Sequence, residues 1–212
     1  MDIMLTFLET YGRNYKFSQN REEGILEECL RRMDITQGIA FEAGSNDGQF
    51  CSNTALLAEQ GWRVLFVESD YALYQKCCEN WATYPLVRSQ CCHVDPININ
   101  AFVSGDCDVF SLDLDGADFQ VFRGLRAKPK IIIIEIDSSY LPDVLAFNPD
   151  GAGTYRNTVE LGIEKGFFLL VHTGNVLMVA NEYRHLFPEI IGDGLSSAEL
   201  YFNRAWLQEN IT

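Results

Sequence analysis

From Lys130 to Ile136 the chain reads Lys-Ile-Ile-Ile-Ile-Glu-Ile, with four isoleucines in a row. A strand with one wet face alternates apolar and polar residues, because successive side chains point to opposite sides. Ile131–Ile134 has no wet face, so it belongs in the middle of a parallel sheet covered by helices on both sides. It is also far too short to cross a bilayer. A central parallel strand needs crossover helices, and the rest of the chain offers them.

Helical and strand-like patterns alternate from residue 22 onward. Glu22–Arg32 is amphipathic, with Ile25, Leu26, Cys29 and Leu30 on one face. Gly38–Ala43 is a short apolar run, Ser52–Gln60 a helix closed by Gly61, Arg63–Val67 a second strand and Ala72–Trp81 another helix. Leu86–Cys92 reads as the third strand, Asn98–Val103 as a short helix, Cys107–Leu112 as the fourth strand and Phe119–Leu125 as a helix. Lys130–Ile136 is the fifth strand, and Thr154–Lys165 is a long helix closed by Gly166. Phe167–Val171 and Asn175–Val179 flank His172-Thr173-Gly174 as a hairpin. This order predicts right-handed βαβ units in an α/β, doubly wound, mostly parallel sheet with one antiparallel strand at its end. Such sheets bind ligands beyond the C-terminal ends of their strands.

The 212 residues, 47% of them apolar, suit one domain over 1–212, with an N-terminal helical segment 1–35 and a C-terminal extension 180–212. A net charge of −14 repels phosphate backbones and anionic headgroups, so no nucleic acid and no membrane is expected as a partner. Seven cysteines without C-x-x-C or zinc-site spacing, and no signal-peptide pattern, lead us to expect reduced thiols and a cytoplasmic location.

Three turns at predicted strand ends carry candidate chemistry. The first strand ends in Glu42-Ala43-Gly44-Ser45-Asn46-Asp47-Gly48. Two glycines four apart let the backbone pass close to a ligand. The three-glycine dinucleotide fingerprint and the Lys-Ser/Thr of a P-loop are both missing. An acidic residue two positions before the first glycine suits a cationic ligand better than a pyrophosphate, and S-adenosylmethionine carries a sulfonium and an ammonium. Glu68-Ser69-Asp70 ends the second strand, about twenty residues beyond Gly48, where a carboxylate can accept both ribose hydroxyls. The competing reading is that Glu68 caps the next helix together with Asp70.

The third turn is Asp113-Leu114-Asp115-Gly116-Ala117-Asp118. Three carboxylates in six residues repel one another unless a metal, a cationic substrate or a shared proton compensates. Asp115 and Asp118 are also placed to cap the following helix; one of the three is expected to cap and at least one to face the ligand. Period-two alternation puts Glu135 and Asp137 on one side of the fifth strand, next to this cluster. Asp113, Asp115, Glu135 and Asp137 together would suit a divalent cation such as Mg²⁺ or Mn²⁺, or would orient a hydroxyl substrate without one. His93, after the third strand, is a second candidate general base.

In order and spacing these motifs resemble the FkbM-like class I S-adenosylmethionine-dependent methyltransferases. The resemblance covers roughly Glu22 to Val179. It rests on Phe41–Gly48 with Ser52-Asn53-Thr54 and Gly61-Trp62, on Val67-Glu68, on Ser111–Phe119, on Ile134-Glu135 and on the stretch 151–166. It implies the Rossmann-like, seven-stranded class I methyltransferase fold, with S-adenosylmethionine as cofactor. It implies a cofactor set of Glu42, Gly44, Ser45, Asn46, Gly48, Glu68, Ser69, Asp95 and Asp113. Glu42 would approach the methionine part, Glu68 the ribose and Asp95 or a neighbour the adenine, with Asp113 beside the transferable methyl. The acceptor implied is a small-molecule or glycan hydroxyl. The family often reads Glu-Tyr-Asn after its fifth strand, whereas this chain has Glu135-Ile136-Asp137.

For methyl transfer to an alcohol, Asp113 or Asp137 is the expected base. Two rivals stand beside this reading: a nucleotide-dependent oxidoreductase, disfavoured by the missing third glycine, and a non-catalytic binding protein that keeps the fold. A homodimer formed through exposed helices or sheet edges is a further expectation.

Overall fold

A computed structural model describes residues 7, 10–12, 16–103, 105–138, 140, 145 and 152–190. The expected C-terminal extension is thus described only as far as 190, and the N-terminal segment only in part. The strands are β1 (Ile39–Ala43), β2 (Arg63–Glu68), β3 (Val87–Cys91), β4 (Val109–Leu112), β5 (Ile131–Glu135), β6 (Phe167–His172) and β7 (Asn175–Ala180). They form one sheet in the order β3-β2-β1-β4-β5-β7-β6. β1 to β5 run parallel, and β7 is antiparallel to both β5 and β6. The expected fold class is the observed one. The isoleucine run lies between β4 and β7, and each of Ile131–Ile134 is fully buried.

The helices are α1 (Glu22–Arg32), α2 (Ala55–Glu59), α3 (Tyr71–Asn80), α4 (Ile99–Phe102), α5 (Asp118–Gly124) and α6 (Tyr155–Glu164). α1 has Glu22 and Glu23 in its first turn and Arg31 and Arg32 in its last, matching its dipole. Arg32 bonds Glu28 at 2.7 Å and lies 5.0 Å from the Phe187 ring, which fastens α1 to the segment after β7. One sheet face packs aromatic rings: Phe41 stacks on Phe110 at 5.5 Å and meets Phe102 of α4 at 6.2 Å. The opposite face carries Glu42 and Ser111, directly paired in register.

Most elements match the sequence reading within a residue or two. The expected helix over 52–60 is the clearest departure, because only Ala55–Glu59 is helical. Ser52, Asn53 and Thr54 are held out of it by a buried carboxylate. A small departure is His172, which ends β6 instead of standing in the turn.

Candidate active site

The turns after β1 and β4 meet at the carboxyl edge of the sheet. Gly44 adopts φ 73°, and a Cβ there would lie 1.5 Å from the Asp113 carbonyl oxygen. The first glycine is therefore demanded by backbone-to-backbone contact between the two turns. Gly48, at φ 76°, presses on α3: a Cβ there would come within 2.6 Å of Cys77 Sγ and Trp81 Nε1. Trp81 Nε1 donates to the Gly48 carbonyl at 2.9 Å, so this second glycine serves helix packing.

Glu42 is fully buried beneath the first turn. Its Oε1 accepts from Asn53 N at 2.9 Å; its Oε2 accepts from Ser52 Oγ at 2.8 Å, Thr54 N at 3.1 Å and Thr54 Oγ1 at 2.5 Å. Burial raises its pKa, and these donors pull it back down. The structure thus uses this carboxylate to fold residues 52–54. Glu68 ends β2, with Oε2 accepting from Asn46 N and Oε1 from Asp70 N, both at 2.8 Å. Asp70 itself caps α3, accepting from Ala72 N and Leu73 N. Oε1 also accepts from Ser69 Oγ at 3.4 Å, so Glu68 steers both flanking turns while Oε2 retains a further lone pair. Ser69 beside it is exposed.

In the second turn Asp118 is buried, and its oxygens accept from Leu114 N at 2.7 Å and Gly116 N at 3.1 Å. It shapes the loop from the first position of α5, close to the expected capping role. Asp113, Asp115 and Glu135 are left together, with carboxylate oxygens within 4.8 Å of one another. This adjacency follows from register, because Leu112 pairs with Ile134. Burial, and then the charge of Asp118, raises Asp113; burial, and then the charge of Asp113, raises Glu135. The charge of Asp113 thus disfavours ionisation of Glu135, so the two titrate as a pair. A proton shared between them would relieve the repulsion predicted from sequence. The same three oxygens are also a donor set that a hard cation would accept.

Asp137 falls outside this trio. β5 ends at Glu135, and the Asp137 amide turns to donate to the Gly153 carbonyl at 3.0 Å, so strand alternation does not reach it. His93 is exposed beyond β3, three strand spacings from β4, or about 14 Å. Asp95 follows it, with Oδ1 accepting from Ile97 N at 2.7 Å and Asn98 N at 2.8 Å.

Several participants were not singled out from sequence. Among the described residues three buried side-chain oxygens lack a hydrogen-bond partner at this edge: Ser45 Oγ and Glu135 Oε2, both sequence candidates, and Asn53 Oδ1, which was not one. Asn53 Nδ2 binds Ser111 Oγ at 3.0 Å, which holds this amide on the face of β4 that also carries Asp113. Glu22 is fully buried and accepts from Thr173 Oγ1 at 2.6 Å and Asn175 Nδ2 at 3.2 Å. Asn175 pairs in register with Glu135, so the start of α1 closes the acidic side of the cleft. The acid-rich motifs alone were visible in sequence, and contacts spanning 151 residues were not.

No protein-family model matches the chain, and no curated protein matches it. Among solved structures, a putative O-methyltransferase from Klebsiella pneumoniae is similar at 18% identity and TM-score 0.47, over 85% of this chain and 90% of that one. A SAM-dependent methyltransferase from Aquifex aeolicus is similar at 11% identity and TM-score 0.47, over 84% and 98%. The CurJ carbon methyltransferase is similar at 15% identity and TM-score 0.49, over 74% of this chain and 52% of that one, so this chain spans about half its length. Likenesses this distant leave the fold to rest on the chain's own sheet. Among the described residues no helix is long and apolar enough to cross a membrane.

Proposed function

We propose that this chain is an S-adenosylmethionine-dependent methyltransferase acting on a hydroxyl of a small molecule or glycan. One observation carries the reading: buried oxygens without partners and raised carboxyls gather where the turns after β1 and β4 touch. Buried polar atoms are ordinarily satisfied, so such a concentration at a sheet's carboxyl edge fits a ligand that supplies donors and positive charge. Residues 42–54 and 111–119 contain no Lys or Arg, which suits a cationic cofactor and not a phosphate.

In this reading Ser45 Oγ and the Asn46 turn receive the amino-acid part of the cofactor, and Glu68 receives its ribose through Oε2, with Ser69 Oγ giving up Oε1. When bound, S-adenosylmethionine supplies an electrophilic methyl on a sulfonium. Asp113 accepts the hydroxyl proton of the acceptor as the new C–O bond forms and the S–C bond breaks. Glu135 keeps Asp113 hydrogen-bonded and ionised while cancelling part of the local charge. No step of this scheme needs a divalent cation from the Asp113, Asp115 and Glu135 trio. The test is release of S-adenosylhomocysteine on incubation with S-adenosylmethionine and a panel of hydroxyl compounds. Acceptor-dependent release that Asp113→Asn abolishes supports the reading, and equal release by that variant overturns the assignment of the base.

A further inference from the structure

The two edges of the sheet are finished differently. β6 forms one edge, and all six of its residues are buried. β3 forms the other, and only its first residue, Val87, is buried. α3, which packs over this edge, buries only Cys77 of its ten residues. Around it Leu86 is 46% exposed, Tyr71 63% and Ile97 90%.

The backbone of β3 defines what could cover it. The Leu86 carbonyl accepts from Val64 N, and Cys92 N donates to the Glu68 carbonyl. Even-numbered residues of the strand therefore turn their amide groups to β2, and Val87, Ser89 and Cys91 turn theirs outward. At Val87 both outward groups are taken: its N–H donates to Tyr84 O at 3.1 Å, and its carbonyl accepts from Arg88 Nη1 at 2.8 Å. The N–H and C=O groups of Ser89 and Cys91 make no such bonds among the described residues. They form an open edge of two donors and two acceptors.

We propose that this edge pairs antiparallel with the same edge of a second copy, Ser89 opposite the second copy's Cys91, with Gln90 on the two-fold axis. In an antiparallel pair, residues exchanging both hydrogen bonds alternate with residues exchanging none. Setting Ser89 against Cys91 uses all four open groups of each chain. Setting Ser89 against its own counterpart would bring Cys91 to Val87, whose groups are occupied. The pattern is thus self-complementary, as an isologous interface requires.

The local charge is compatible with a second copy here. Residues 80–94 contain no Asp or Glu, in a chain with 30 of them, and Arg88 is the one Lys or Arg in that stretch. Two molecules of net charge −14 can meet along this stretch without opposing its own residues with carboxylates, and the pair on the axis is uncharged Gln90. The product is a continuous sheet running through both copies.

Sedimentation of the intact chain across micromolar concentrations tests the proposal. The native protein is expected to be dimeric, and Ser89→Pro to weaken association at least tenfold. Proline is tolerated where an edge N–H faces outward, so this variant should keep the circular dichroism of the parent. Independently, Gln90→Cys places thiols on a non-bonded pair about 4.5 Å apart between Cα atoms, within disulfide reach. Oxidised glutathione should then yield a covalent dimer linked through position 90 of both chains. A monomeric native protein, a Ser89→Pro dimer of undiminished strength, or cross-links through Cys78, Cys91 or Cys92 alone would each overturn it.

Discussion

The turns after β1 and β4 bring acidic residues to the same edge of the sheet and satisfy them in different ways. Around the first, Glu42, Glu68, Asp47 and Asp70 each accept backbone N–H groups, and Glu42 takes two hydroxyls as well. Around the second, among the described residues, Asp118 alone is used this way, while Asp113 and Glu135 lie together and the charge of Asp113 raises the Glu135 pKa. A carboxylate whose oxygens are taken by donors of its own chain is scaffold, because those donors hold the loop around it. One satisfied only by another carboxyl is poised to change partner when a ligand arrives. In the proposed function the first turn builds the cradle, and the second holds the chemistry.

The sharpest way to break this contrast is to disturb the contact between the turns. Gly44→Ala would force a side chain into the Asp113 carbonyl at a positive φ, and it should cost about 3 kcal/mol or more, measured by urea unfolding. A variant as stable as the parent would mean that the turns do not meet.

Next come matched amide replacements on the two sides. Glu42→Gln puts an NH₂ group among four donors and should cost about 2–4 kcal/mol of stability. Asp113→Asn should leave stability intact while lowering turnover about 100-fold or more. Equal stability losses for the two would erase the distinction between scaffold and chemistry.

A smaller effect concerns pH. Glu135 is raised above its ordinary value of 4.5, so the native state keeps a proton that the unfolded chain releases as pH rises. That contribution is full below the ordinary value and is lost as pH climbs through the raised native one. Glu135→Gln carries the hydrogen-bond donor permanently, so it should exceed the parent in thermal stability near about pH 8, by about 1 kcal/mol. The gap should close toward about pH 4, where the parent is protonated in both states. Smallest of all, His93→Ala should leave turnover unchanged, since the sheet order separates it from Asp113.

The fold was legible because its signals are local: Ile131–Ile134 identified a central strand, and each crossover helix carried its own periodicity. The Asp113 cluster was legible for the same reason, since three like charges within six residues announce an unresolved repulsion. The partner of Asp113 needed the register of β4 on β5. Glu42 stood out as an acidic residue two positions before Gly44, while its hydrogen-bond partners Ser52–Thr54 read as the start of a helix. There, satisfying a buried carboxylate outweighed helix propensity. Glu22 joins the site through Thr173 and Asn175 at the far end of the chain, which no local pattern could announce.

Calorimetric titration with S-adenosylhomocysteine, on the native chain and on Glu68→Gln, tests the central claim most directly. The account predicts micromolar binding to the native chain and a loss of at least about tenfold in the variant, about 1.4 kcal/mol. No binding to the native chain, or equal binding by both proteins, would contradict the assignment of this edge to the cofactor.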